Sequence, residues 1–277
     1  MVDFQSAGAV GLGGGSPGVR QGLYTNQTTQ AGPVGAKMEF GGGEVFRYCY
    51  FVTAVAAGKL AALDTSVAIQ TSFNAAFVNS AGAAKDDYGT DDNSIYVKTS
   101  DITSDDTANI WADGWLMITD AAGEGMKYRI QGHEAGSATT ANVMRLDLYD
   151  NIAVALDSES SACIVGSKYS NLAIANAGTD DICVGIPALA AAATSYGWAQ
   201  TRGTSLVLAD EAVGTIAAGT IAVLSDGVDG AATVFGQGSV NSEEELDEYT
   251  TEPLIGHFMT AAVDTEYVAI NLTNLAD

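Results

Sequence analysis

Four stretches of this chain combine residue types at spacings that chemistry uses. Gly13-Gly14-Gly15-Ser16-Pro17-Gly18 satisfies G-x-G-x-x-G, the spacing that cradles a dinucleotide pyrophosphate. Its last five residues also satisfy G-x-S-x-G, the nucleophile elbow of many hydrolases. Asp86, Asp87, Asp91, Asp92 and Asn93 crowd the hard oxygen donors that hold Ca²⁺. Trp111 and Trp115 flank Asp113, two flat faces and a carboxylate of the kind that binds a sugar. The fourth stretch, Ser195 to Leu208, reads SYGWAQTRGTSLVL and sets Tyr196, Trp198 and Arg202 at even positions of an alternating pattern.

Each must be positioned by its surroundings, and for three of them the surroundings are wrong. A phosphate loop or nucleophile elbow needs a strand before it and a helix after it. Here Gly-rich text precedes Gly13 and no helical periodicity follows Gly18, so the motif reads as a loop. The Asp86–Asn93 cluster lacks the central Gly and distal Glu of an EF-hand loop and reads as Asx-rich turns. Trp111 and Trp115 are expected to divide between a core and the cover of a hairpin. His133 and His257 lie far apart without the i, i+4 partner of a helical zinc site. No nucleophile, base and orienting group can be named together. The expectation is no catalytic residue, no metal and no cofactor.

Charge excludes further classes. Lys and Arg total 11 against 34 Asp and Glu, a formal net charge of −23. Such a surface repels nucleic-acid phosphates and anionic membranes, so neither is expected as a partner. Hydrophobic residues form 47% of the 277, and the mean hydropathy is +0.13, which places the chain among globular proteins. Gly is frequent (32) and Pro rare (4), which favours short strands and Gly turns over long helices. Cys49, Cys163 and Cys183 form no disulfide framework and are expected as small buried hydrophobes. The N-terminus lacks the basic region of a conventional signal peptide.

The elements that hold the fourth stretch are strands. EVFRYCYFV, SIYVKT and NVMRLDLYD alternate and are rich in β-formers, and WLMIT and MKYRIQG flank the turn DAAGEG as a hairpin. TSFNAAFVNSAGAAK is ambiguous between strand and short helix, and PALAAAATS has two turns' worth of Ala without a polar face. The fold class read from this pattern is mainly β: small β-barrel or β-sandwich modules joined by Gly and Asp turns, with an extended N-terminal arm. The expected domains are a Gly-rich arm at 1–43, a β domain with an acidic-turn insert at 44–160, and a barrel or sandwich with an internal repeat at 161–277. The arm is expected to gain order by lying on a partner or a neighbouring subunit. The repeat relates VGIPALAAAATSYGWAQT to IGHFMTAAVDTEYVAINL, with eleven residues from Gly to Tyr in both. A weaker echo relates AVAAGKLAAL to TIAAGTIAVL. If the repeat is structural, Tyr196 and Tyr267 open equivalent strands of paired hairpins. On a regular strand Tyr196, Trp198, Gln200 and Arg202 share one face and Gly197, Ala199 and Thr201 the other. With so many carboxylates in the chain, a structural ion pair is expected for Arg202.

From Gly43 onward the text resembles small virion proteins of tailed bacteriophages. FRYCYFVTAVAAGKL is similar to that family's entry motif, YGWAQTRGTSLVLAD to its central strand, and GTIAVLSDGVDGAATV with EPLIGHFMTAAVDTEYVAINL to its ending. The insert near 86–130 and the acidic run at 243–248 depart from it. The resemblance implies a non-enzymatic capsid decoration, or cement, protein. Its implied partners are the major capsid protein and its own copies in a homotrimer, on the outer capsid surface of the virion. Other virion β proteins (tail, spike or fibre) and a carbohydrate-binding domain are the alternative readings. Aromatic and Arg side chains are the usual interface anchors, which points to Arg20, Tyr24 and Phe40 on the arm and to Tyr196, Trp198 and Arg202 on the strand.

Overall fold

The computed structural model describes residues 19, 21–64, 69–73 (backbone only), 77–85, 88–98, 108–135, 143–177, 181–210, 216–235, 253–273 and 275. Among these residues every regular element is a strand. First come β1 (Lys37–Glu39), β2 (Val45–Phe51) and β3 (Ala61–Leu63). Then follow β4 (Ile69–Phe73), β5 (Phe77–Val78), β6 (Ser94–Lys98), β7 (Trp115–Asp120), β8 (Lys127–His133), β9 (Val143–Leu148) and β10 (Ser161–Val165). The chain ends with β11 (Leu172–Ile174), β12 (Cys183–Pro187), β13 (Ser195–Leu208), β14 (Ile221–Leu224), β15 (Ala232–Val234), β16 (Leu254–Phe258) and β17 (Tyr267–Leu272).

Residues 65–170 form one compact unit, and residues 1–64 with 171–277 form another. These compact units are nested and do not end at 43/44 or 160/161, the boundaries expected from the sequence. The reason is long-range pairing: β11 lies parallel to β2 and antiparallel to β3, so the chain after Asn171 returns to strands made before Asp64.

β2 is rich in β-formers and buried on both faces, and β3 is apolar and buried throughout. Order β2-β11-β3-β12-β13, with β13 pairing back to β2, closes a five-stranded barrel. The second half of β13 then begins a copy of it. Leu172↔Leu63 and Ile174↔Ala61 between β11 and β3 correspond to Ala232↔Leu224 and Val234↔Ala222 between β15 and β14. Ile186↔Gln200 and Pro187↔Ala199 correspond to His257↔Asn271 and Phe258↔Ile270. The bulge between Cys183 and Gly185 against β3 recurs between Leu254 and Gly256 against β14. The parallel pair Leu172↔Phe51 recurs as the parallel bridge Ala209↔Ala232. Thr194 (φ 54°) and Thr265 (φ 64°) are left-handed at the same turn.

The repeat seen in the sequence is therefore structural, and its weaker echo is part of the same duplication. Val55 bridges Ala191 as Ile216 bridges Ala262, and Tyr196 and Tyr267 do stand at the start of equivalent strands. Two five-stranded barrels in tandem share the 14-residue β13. Phe258, Leu224, Val268, Ile270 and Ile216 lie in the core on the second-barrel side. PALAAAATS is not helical: Pro187 ends β12 and the Ala191 main chain bonds Val55 in both directions.

The duplication also locates the inserted unit. The Asp64 N–H donates to the Asn171 carbonyl at 2.9 Å, and the Ser225 N–H donates to the Ala231 carbonyl at 3.0 Å. Residues 65–170 thus replace a turn that in the second copy is Asp226–Gly230. Within that unit seven strands run β4-β10-β7-β8-β9-β6-β5. The expected hairpin is β7–β8, and the ambiguous TSFNAAFV contributes strands β4 and β5. Inward residues of β6–β10 bury Ile95, Leu116, Ile130, Leu146 and Ile164 around Trp111.

Candidate interface on the first barrel

β2 and β13 run antiparallel with Tyr48 opposite Trp198, Tyr50 opposite Tyr196 and Phe46 opposite Gln200. Alternation turns these residues to the outside of the barrel, where aromatic rings meet. Tyr48 packs edge-on to Trp198 with centroids 5.4 Å apart and stacks on Tyr196 at 5.9 Å. Tyr50 and Tyr196 stand 4.7 Å apart. Bare rings here would hold a large apolar area in water. Instead, Val19, Leu23, Ala31, Ala36 and Met38 pack over Phe46, Tyr48 and Trp198, and β1 extends the sheet along β2.

Gln21 ties this cover down. It is 5% exposed. Its Oε1 accepts from the Tyr48 hydroxyl at 2.8 Å, its Nε2 donates to the Tyr196 carbonyl at 2.9 Å, and its carbonyl accepts from Trp198 Nε1 at 3.1 Å. The Ala31 N–H donates to the Tyr48 hydroxyl at 3.0 Å, and Gln27 and Tyr196 exchange main-chain bonds of 3.1 and 2.7 Å. Each buried polar tip of Tyr48 and Trp198 is thereby met, which removes the desolvation cost of burying it. Burial pushes the Tyr48 and Tyr196 phenols above their ordinary pKa.

The six expected interface residues therefore separate. Trp198 is 3% exposed and Tyr196 half-buried, and both face this chain's own arm. The described arm residues pack on this chain's own barrel. Tyr24 is 70% exposed, and Phe40 is exposed beside Phe46, edge-to-face at 5.7 Å. Arg202 is exposed and makes no ion pair among the described residues. The register shift between Gln200 and Arg202 takes it out of the covered layer. Arg20 lies outside the described residues, as does Gly13–Gly18. The sequence reading missed Gln21, because an isolated Gln carries no pattern until its partners are known.

The remaining candidates have structural partners. Trp111 is fully buried, so it offers no face to a sugar. Its main-chain N–H donates to His133 Nε2 at 3.1 Å, its ring stacks on His133 at 4.7 Å, and His133 Nδ1 bonds the Glu134 carbonyl at 2.7 Å. With Nε2 accepting, His133 is the neutral Nδ1–H tautomer. Trp115 lies under Lys127 Nζ, 4.7 Å from its ring, and Asp113 takes Arg129 at 2.9 Å and the Tyr149 hydroxyl at 3.0 Å. Asp86 and Asp87 lie outside the described residues, and Asp92 accepts from the Gly89 N–H and faces Lys85. Among the described residues no three His, Cys, Asp or Glu side chains form a group that could hold a metal. His257 is exposed. Cys49 and Cys183 are buried, which raises both thiols (Cys183 to about 12), while Cys163 is half-buried.

Burial holds the His133 pKa below its ordinary 6.5. The unfolded chain then takes up this proton first, so the stability that neutral His133 contributes is present above about pH 6.5 and is lost as pH falls through the folded value. His133→Leu, which removes the acceptor of the Trp111 N–H, is expected to cost about 1–3 kcal/mol at pH 7.5. That cost should shrink as pH falls below 6.5. Urea unfolding followed by Trp111 and Trp115 emission checks it; a gap between wild type and variant that is constant with pH contradicts it.

Compared with family models, curated proteins and solved structures, the chain matches none.

Proposed function

We propose that this chain is a non-enzymatic structural protein of a phage virion, which decorates the outer capsid surface as a homotrimer and stabilises the shell by bridging major capsid protein subunits. One observation carries the reading. The motifs that resemble the decoration family fall at matching places in the two barrels. Gly58 of the entry motif and Gly219 of the ending occupy the same left-handed turn, and YGWAQTRG lies on the strand the barrels share. Closed barrels leave few edges to unravel, and a shared strand fixes the spacing of two similar outer faces. The −23 charge would keep decorated particles apart in solution.

The test adds purified protein at micromolar concentration to heads that lack decoration. Binding that raises the melting temperature of the heads by several degrees is expected. Absence of binding contradicts the reading, and binding to tails rather than heads would favour the alternative of a tail, spike or fibre component.

A further inference from the structure

Two side chains of the inserted unit are pinned beside Arg129 by main-chain bonds to β8. The Asp113 N–H donates to the Ile130 carbonyl at 2.9 Å, and the Tyr149 N–H donates to the Arg129 carbonyl at 3.0 Å. Asp113 sits in the turn ahead of β7 with a left-handed backbone, φ 62°. Its Oδ1 accepts from Arg129 Nη2 at 2.9 Å and from the Tyr149 hydroxyl at 3.0 Å. The guanidinium lies over the Tyr149 ring, 5.0 Å from its centroid. Trp115 stands opposite Arg129 in the β7–β8 register. The neighbours Leu116, Ile130 and Leu148 fill the core, so alternation turns Trp115, Arg129 and Tyr149 to the outer face as one row.

The cluster is held in place but its hydrogen bonds are incomplete. The Asp113 side chain is 6% exposed, yet among the described residues nothing donates to its Oδ2. A carboxylate oxygen buried that far calls for a donor from outside the chain. Arg129 spends one N–H on Asp113, and its other N–H groups meet no acceptor among the described residues. Arg145, on β9 of the same unit, is the contrast. It grips Asp147 through two bonds of 3.1 and 2.8 Å and meets Glu134 at 3.2 Å. Tyr149 is 48% exposed and Trp115 half-buried, so each shows part of its ring to solvent.

We propose that Asp113, Arg129, Tyr149 and Trp115 form a binding site for a neutral polysaccharide. A sugar ring offers what the cluster lacks. One hydroxyl donates to Asp113 Oδ2, a neighbouring hydroxyl accepts from Arg129, and the flat C–H face packs on an aromatic ring. Trp115 and Tyr149 lie on either side of β8, about 10 Å apart at the usual strand spacing, so a run of sugars meets both. Lys127 Nζ reaches over the Trp115 ring at 4.7 Å, on a flexible stem that a ligand can displace. The net charge of −23 disfavours acidic polymers, which leaves the uncharged ones. The pair suggested by sequence, Trp111 with Trp115, is not this site, because Trp111 is fully buried. The whole cluster lies in the unit that takes the place of a turn, so the site does not depend on the barrels.

Native electrophoresis of the full chain through gels that contain dextran, mannan, laminarin or soluble starch tests this. Retardation by at least one of these polymers is expected. Tyr149→Ala and Arg129→Ala should each weaken the apparent affinity about tenfold or more, and Tyr149→Phe, which keeps the ring, should weaken it less. Tyr24→Ala removes an exposed aromatic outside the inserted unit and should change nothing. Urea unfolding followed by Trp111 and Trp115 emission checks that each variant is folded. Migration that none of the polymers slows overturns the proposal, as does retardation that survives in folded Tyr149→Ala and Arg129→Ala. Stronger retardation by polygalacturonate would assign an acidic ligand and overturn the neutral class. Self-association without polymer that rises with concentration and is lost in the same variants would give the face to a second copy, and likewise overturns it.

Discussion

Trp198→Ala is expected to destabilise the two-barrel unit by about 3–5 kcal/mol, the usual cost of emptying a buried Trp site. Three losses combine: the contact with Tyr48, the packing against arm residues, and the bond from Nε1 to the Gln21 carbonyl. The arm should suffer first, because its hold on the barrel depends on this cluster. Chymotrypsin should therefore cut after Tyr24 at denaturant concentrations where the barrels remain folded. Trp198→Phe keeps part of the area and should cost about half as much. Trp198 is the one Trp of the two-barrel unit, and Trp111 and Trp115 belong to the inserted one. In the wild type, emission of a Trp111→Phe, Trp115→Phe background isolates the transition of the two-barrel unit; in Trp198→Ala, circular dichroism must replace it. An arm that stays as resistant as in wild type contradicts this account of the cluster.

Gly203→Ala is expected to cost about 3 kcal/mol or more, against about 1 kcal/mol for Gly219→Ala. Both glycines are left-handed, with φ of 89° and 88°. They differ in what a Cβ would meet. At Gly219 there is open space, whereas at Gly203 it would stand 3.0 Å from Glu44 Cα and 3.2 Å from the Gly43 carbonyl oxygen. Those are backbone atoms of the chain entering β2, which cannot rotate away. Gly203 is where β13 leaves its pairing with β2 and starts its pairing with β17. The substitution therefore strains the junction of the two barrels, and equal midpoints for the two variants in urea would show that the junction is not tight.

Alternation made β6, β9 and the β7–β8 hairpin legible in the sequence, since each has one face that must be apolar, and β2 was legible from its run of β-formers. The duplication was legible in part, because Gly185 and Gly256 sit where a Cβ would strike the main chain of the partner strand, at Gln200 and Asn271. That constraint preserves the Gly-to-Tyr interval while the side chains diverge from Trp198 to Ala269. The nesting of one unit in the other was not legible. It depends on β11, three residues long, pairing with strands on the far side of the insert, and three residues carry no period. The shared face of Tyr196 and Trp198 followed from parity. What covers it did not, because Gln21 recognises carbonyls and a phenol hydroxyl, and these exist only once β2 and β13 are paired. Arg202 leaves the covered layer because the register shifts between Gln200 and Arg202, and a bulge of this kind interrupts simple parity.

The two barrels are equivalent, and residues 65–170 occupy in the first the place of the turn Asp226–Gly230 in the second. Replacing Thr65–Ser170 by the sequence Asp-Gly-Val-Asp-Gly of that turn tests it most directly. The shortened protein should fold in one cooperative urea transition, with Trp198 emission as blue-shifted as in the intact chain. A shortened protein that exposes Trp198 to water in the absence of denaturant would contradict the equivalence.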